Sequence, residues 1–143
     1  MRGTFALFVF TLIVIATGLA VYSALGIIRN SDDPAAGVAV SQFGSALRQH
    51  DGKRACGLLS QSTQSKLEDD RKKPCDQAIL EVAGEVEPGD SVTSVNVAET
   101  SAFVKTSHGP TFFLDKDGKT WKLSGVGCTK QAGDAPYSCA LQS

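Results

Sequence analysis

The four cysteines of this 143-residue chain are the residues whose type and number point most clearly to a specific chemistry. They are Cys56, Cys75, Cys128 and Cys139, and an even number of cysteines in a small exported domain usually forms disulfides. Three pairings are possible, and we favour Cys56–Cys75 with Cys128–Cys139 because each pair lies inside one local block of predicted structure. Zinc is disfavoured, since there is no C-x-x-C motif and neither histidine is near a cysteine in the sequence. We therefore predict two disulfides and no metal site.

The side chains that could serve as acids, bases or nucleophiles form no recognisable catalytic set. His50 and Asp51 are adjacent, but neighbouring residues at a helix end usually point apart, and Asp51 is better explained as part of a turn. His108 lies in a Gly-Pro turn, where exposure to solvent is expected, and no serine lies in a G-x-S-x-G motif. The sequence therefore predicts no catalytic residue, no cofactor and no enzymatic activity.

A set of aromatic residues is the remaining candidate for a binding site. These residues could line a pocket at the place where a predicted helix and a predicted sheet part, and they are Phe43, Phe103, Phe112 (or its neighbour Phe113) and Trp121. In a domain with so few aromatic residues, the same side chains more often form the hydrophobic core. We keep the pocket as a hypothesis beside the core interpretation.

The cellular location of all these residues depends on an apolar segment that precedes them in the sequence. This segment, Thr4 to Ile28, contains no Asp, Glu, Lys or Arg. As a helix, its 25 residues would be roughly 37 Å long, which exceeds the ~30 Å hydrocarbon core of a bilayer. A cleaved signal peptide is the alternative, but its apolar region spans only about 7–15 residues. The best cleavage candidate ends at Ala24 and has Tyr22 at a position that disfavours cleavage. We therefore expect residues 1–30 to be an uncleaved membrane anchor, which makes the lipid bilayer a partner through Thr4 to Ile28.

The rest of the chain, residues 31–143, is long enough for one domain and too short for two. Arg2 and Arg29 flank the apolar segment evenly and leave its orientation open. Cysteine usage decides the orientation, because disulfides persist in oxidising compartments, so we expect the domain outside the cytoplasm. The domain carries 12 basic and 15 acidic side chains. The resulting net charge of −3 predicts no binding to nucleic acid and no strong attraction to anionic lipid.

Within the domain, helical patterns precede alternating patterns. The predicted helices run from Pro34 to about His50, from about Lys53 to Leu59 and from Pro74 to about Gly84, with a loop or weak helix at residues 60–73. Four predicted strands follow at residues 91–98, 101–106, 111–115 and 120–126, with a short fifth strand at 137–141. This order predicts an α+β domain of about three helices and a curved four- to five-stranded antiparallel sheet, behind an N-terminal transmembrane helix.

Three segments carry a resemblance to a known family: VSQFGSALRQHDGKRACGLLS, KKPCDQAILEVAG and the ending WKLSGVGC…YSCAL. With the anchor and the cysteine placement, they resemble small exported proteins of high-GC Gram-positive bacteria that have a nuclear transport factor 2-like, or cystatin-like, cone fold. The resemblance is one of pattern and covers most of residues 34–143. Most such exported members have no assigned activity, while related cones include ketosteroid-isomerase-like enzymes, accessory subunits and binding modules. The resemblance therefore implies a fold and leaves the chemistry open.

Two functions follow from these observations. The favoured hypothesis is a non-enzymatic module at the outer surface of the cell membrane, which contacts an unknown membrane complex or envelope protein. The alternative is an exported small-ligand-binding or isomerase-like cone protein, which would need an open apolar cavity with a buried ionisable group. The helix face expected to meet the sheet offers only apolar side chains for that role, namely Val40, Phe43, Leu47, Ile79 and Val82.

Overall fold

The computed structural model describes residues 33–143. The predicted anchor, Thr4 to Ile28, lies outside the described residues, as does the whole of the predicted N-terminal region 1–30. Within residues 33–143, none of the helices has the length and hydropathy that a membrane crossing requires.

The described chain is α+β, with helices first and an antiparallel sheet after them, as the sequence predicts. The helices are α1 (Pro34–Arg48), α2 (Gly52–Leu58), α3 (Gln61–Arg71), α4 (Cys75–Glu81) and α5 (Ala83–Val86). The strands are β1 (Val92–Ala98), β2 (Ser101–Thr106), β3 (Thr111–Asp117), β4 (Thr120–Lys130) and β5 (Tyr137–Gln142).

The predicted number of about three helices was wrong, because five helices lie in the described residues. The polar stretch expected to be a loop or weak helix contains α3. The Ser60 hydroxyl caps this helix by accepting a hydrogen bond from the Thr63 backbone N–H (3.2 Å). Thr63 and Leu67, four residues apart, form the buried stripe of α3. A helix cap and one short buried stripe are therefore sufficient for α3 to form, because packing against the rest of the domain stabilises the helix.

Helix α1 begins at Pro34, as the sequence predicts, and packs on the sheet through one apolar face. Asp33 caps it, and Pro34 occupies the first turn, where its missing N–H costs nothing. Val40, Phe43 and Leu47 recur at helical spacing and are buried. The helix packs against β1, β2 and β4.

The five strands form one antiparallel sheet in the order β1-β2-β3-β4-β5. Side chains on the face towards α1, the inner face, include the paired residues Val104 and Phe112, and the pair Leu114 and Leu123. All four are completely buried. Phe112 meets Phe43 of α1 edge to face, with ring centroids 6.4 Å apart. The hydrophobic core therefore lies between the helices and the inner face of the sheet.

Both predicted disulfides are present. Cys56–Cys75 joins α2 to the first residue of α4 across 19 residues of sequence. Cys128–Cys139 joins β4 to β5 across 11 residues and links two residues that are paired directly in the sheet. The described residues contain no free cysteine.

Candidate functional site

The structure distributes the four predicted pocket residues over three different places. Phe43 and Phe112 are fully buried in the core, so they line no open pocket. Trp121 is 5% exposed and lies at the floor of a groove beside the start of α1. Phe103 is on the outer face of the sheet, opposite α1, because it alternates with the buried residues Ala102 and Val104. The four residues do not come together, and two of them mark separate surfaces.

The first of these surfaces is an aromatic cluster on the outer face, formed by Phe103, Phe113 and Tyr137. The ring centroids are 5.2 Å apart for Phe103 and Phe113, 5.5 Å for Phe103 and Tyr137, and 5.4 Å for Phe113 and Tyr137. All three side chains are half-buried. The Lys105 ammonium lies 5.5 Å from the centre of the Phe103 ring, within the range of a cation–π contact. We call these three aromatic residues the outer cluster.

Gly125 and the second disulfide hold the outer cluster in place. Gly125 pairs with Phe113 across β3 and β4. A Cβ atom at Gly125 would lie 3.0 Å from Phe113 Cδ2 and 3.3 Å from Cys128 Sγ, so a larger residue would displace the Phe113 ring. The Cys128–Cys139 bridge ties β5, and with it Tyr137, to β4. The sequence predicted the bridge and missed the cluster, because Phe113 was considered only as an alternative to Phe112 and nothing in the sequence placed Tyr137 beside the phenylalanines.

The second surface is a shallow groove between α1, the end of α2 and the β3–β4 hairpin. It encloses about 450 Å³. Its lining is mostly apolar, and Val38 at its edge is 50% exposed. Its only charged lining residues are two lysines of the hairpin, Lys119 and Lys122. We call it the lysine-rimmed groove; its lining is Pro34, Ala35, Val38, Ala39, Gln42, Leu58, Lys119, Thr120, Trp121 and Lys122.

Asp33 joins the start of α1 to the floor of this groove. Its Oδ1 accepts a hydrogen bond from the Ala35 backbone N–H (3.1 Å), and its Oδ2 accepts one from Trp121 Nε1 (3.0 Å). Lys116 Nζ lies 4.0 Å from Oδ2 and 5.1 Å from the centre of the Trp121 ring. The hydrogen bond from Trp121, the one from Ala35 and the charge of Lys116 together lower the pKa of Asp33. The start of the described domain is therefore fixed beside the β3–β4 hairpin.

The residues considered for catalysis lie apart from both surfaces. Asp51, expected in a turn, is the N-cap of α2, where its side chain accepts a hydrogen bond from the Arg54 backbone N–H (3.0 Å). His50 and His108 are exposed residues with positive φ angles of 55° and 53°. Among residues 33–143, the buried polar side chains are Thr63 and Ser124, and Thr63 Oγ1 donates to the Ser124 carbonyl (3.1 Å). No ionisable side chain of the described range is buried.

In the described part of the chain, no three His, Cys, Asp or Glu side chains lie close enough together to hold a metal ion. Comparison with protein-family models, with curated proteins and with solved structures finds no match to this chain. The fold defines the described chain as an α+β domain with two disulfides. Its candidate binding surfaces are the outer cluster and the lysine-rimmed groove.

Proposed function

We propose that this protein is a membrane-anchored extracytoplasmic module without enzymatic activity, which binds a membrane or envelope protein through the outer face of its sheet. The observation that carries the proposal is the outer cluster of Phe103, Phe113 and Tyr137. An antiparallel sheet with one covered face normally presents polar residues on the other, so three mutually packed aromatic side chains there call for a functional explanation.

The chemistry of the outer cluster suits a protein partner. Aromatic residues are enriched at the centres of protein interfaces, where they add large contact area at a small cost in conformational entropy. The charged rim next to the cluster includes Lys105, which also contacts the Phe103 ring. A partner that packs an apolar side chain against the exposed side of the rings and places a carboxylate near Lys105 would satisfy both features. The Cys128–Cys139 bridge pre-organises the surface, which reduces the entropy lost on binding.

The proposed location rests on the cysteines and on the N-terminal sequence. Both disulfides are typical of a domain that folds in an oxidising compartment. The uncharged segment Thr4 to Ile28 is long enough to hold such a domain at a bilayer. We also keep the resemblance to exported cone-fold proteins as part of the proposal, because helices followed by a five-stranded antiparallel sheet are what that resemblance implies.

The alternative, an exported small-ligand-binding or isomerase-like cone protein, has less support. It needs an open cavity between the first helix and the sheet, with an ionisable group inside. In the described residues that space holds the packed rings of Phe43 and Phe112, with Leu114 and Leu123 beside them on the inner face. The pKa of Asp33 is lowered, but this carboxylate is partly exposed and serves as a helix cap.

Site-specific photo-crosslinking in native membranes tests the proposal. A photoreactive phenylalanine analogue would replace Phe103 or Phe113 in the full chain, one position at a time. The matched control places the same analogue at Lys66, an exposed residue of α3. We expect both cluster positions to give an adduct with the same membrane or envelope protein and Lys66 to give none. Adducts that are absent from the cluster positions, or equal at all three positions, would contradict the proposal.

A further inference from the structure

The lysine-rimmed groove combines exposed apolar surface with positive charge at one end of the domain. Val38 is half exposed at its edge, and Pro34 and Leu58 add further apolar lining. Lys119 is exposed in the β3–β4 hairpin, and Lys122 reaches back to donate a hydrogen bond to the Gly57 carbonyl. Apolar side chains bordered by lysines are the combination that binds the surface of an anionic membrane.

The chain also places this groove close to the predicted anchor in sequence. Residues 29–32 are the only ones between Ile28, the last residue of the apolar segment, and Asp33. Five residue steps of extended chain span at most about 18 Å. Asp33 in turn is hydrogen-bonded to Trp121 at the floor of the groove (3.0 Å). The predicted anchor and the first residue at the groove are therefore separated by only four residues of sequence.

We propose that the lysine-rimmed groove docks on the anionic lipid headgroups of the membrane that holds Thr4 to Ile28. This inference rests on the membrane anchoring in the proposed function and adds a defined lipid-facing surface. Docking there would hold the domain in one orientation, with the β3–β4 hairpin towards the bilayer. The outer cluster is a different surface, so lipid docking and partner binding are separately testable.

The domain as a whole is acidic, so the attraction that favours docking has to be local, and it comes from Lys119 and Lys122 in the lining of the groove. Asp115 and Asp117 line a second groove, between the hairpin and the start of α3, together with Lys116 and Lys122, so Lys122 is shared by the two grooves. Lys116 Nζ lies 4.0 Å from Asp33 Oδ2 and beside the Trp121 ring, where it offsets the charge of the Asp33 carboxylate. The lysine-rimmed groove has two lysines and no carboxylate in its lining. Tethering also raises the local concentration of lipid, so a weak local attraction is sufficient.

Trp121 makes the test specific to the groove, because it is the single tryptophan of the chain. The full chain would be reconstituted into phosphatidylcholine vesicles, and into phosphatidylcholine vesicles that also contain phosphatidylglycerol. Both would carry a small fraction of nitroxide-labelled phosphatidylcholine as a quencher of tryptophan fluorescence. Flotation of the vesicles would report anchoring independently of the fluorescence. We expect the protein to float with both kinds of vesicle and Trp121 to be quenched at least twofold more in those with phosphatidylglycerol.

Two variants separate docking from anchoring. Lys119→Glu reverses the charge of the groove rim, and Val38→Asp adds an acid at its exposed edge; both sites are accessible, so the fold should tolerate the changes. A lysine near an anionic surface is worth about a fivefold change in binding, so each variant should lower the docked fraction about fivefold or more. Lys66→Glu, which makes the same charge change at an exposed residue of α3 outside the groove, is the control and should keep the wild-type difference between the two vesicles.

Three results would overturn the docking proposal. Equal quenching in the two kinds of vesicle, with normal flotation, would mean that the groove faces away from the lipid or is covered by another part of the chain or by a second copy. A full phosphatidylglycerol effect in Lys119→Glu and Val38→Asp would also contradict it. Failure to float with either vesicle would remove the anchor itself, and with it both this inference and the membrane part of the proposed function.

Discussion

Phe112 and Phe113 are neighbours in β3 that face opposite sides of the sheet, so replacing each by alanine gives a matched pair. Phe112 is fully buried and meets Phe43 edge to face. Removing a buried phenylalanine leaves a cavity and typically costs about 3–5 kcal/mol of unfolding free energy. Phe113 is half-buried and contacts two rings of the outer cluster. The loss of part of its burial and of those contacts should cost only about 1–2 kcal/mol.

The two variants should separate even more clearly in binding. If the outer cluster is an interface, Phe113→Ala should abolish the crosslink formed from position 103, although its fold remains intact. Phe112→Ala should lose stability and keep that crosslink wherever it is folded. Urea unfolding followed by circular dichroism, with disulfides intact, would measure the free energies on the full chain in detergent micelles.

Two results would contradict the assignment of Phe113 to the outer cluster and of Phe112 to the core. A Phe113→Ala variant as unstable as Phe112→Ala would mean that the outer cluster is a second core with no spare surface for a partner. A Phe112→Ala variant that unfolds at nearly the wild-type urea concentration would mean that the inner face has been assigned to the wrong residues.

Three further predictions concern the elements that hold these surfaces. Replacing Cys56 and Cys75 together by serine opens a loop of 19 residues. The free energy of unfolding should fall by about 3 kcal/mol and the melting temperature by roughly 10–20 °C. An unchanged melting temperature would show that this bridge contributes nothing to stability. The lowered pKa of Asp33 means that its contribution to stability is present above its ordinary value of 3.8 and is lost as the pH falls through the lowered pKa. The stability difference between wild type and Asp33→Asn in urea should therefore shrink as the pH falls from 7 to below that ordinary value, and a constant difference would contradict the role of the charge. Gly125→Ala should push the Phe113 ring aside and weaken the crosslink formed from a photoreactive residue at position 103, although no aromatic residue is removed. A crosslink yield equal to that of the wild type would show that partner binding does not depend on the position of the Phe113 ring.

The sequence predicted those parts of the fold that local patterns determine. Pro34 marked the start of α1, and the spacing of its apolar residues marked its buried face. Both disulfides followed from cysteines placed in the same local block. The stretch that forms α3 was predicted only as a loop or weak helix, because its buried stripe consists of only Thr63 and Leu67.

The surfaces could not be predicted, because they depend on contacts between distant residues. The run Phe112, Phe113, Leu114 indicates a strand but does not say which of the two phenylalanines faces α1, and the contact with Phe43 decides that. The floor of the lysine-rimmed groove depends on the hydrogen bond between Asp33 and Trp121, which are 88 residues apart. No local pattern reports such a pairing.

The intact mass of the protein extracted from native membranes, determined with and without reduction, reports directly whether an oxidised domain keeps its apolar N-terminal segment in the bilayer. We expect a chain that retains residues 4–28 and is lighter by four hydrogens than its reduced form, with Cys56 linked to Cys75 and Cys128 to Cys139. A soluble chain that lacks residues 4–28, or one with four free thiols, would contradict this expectation.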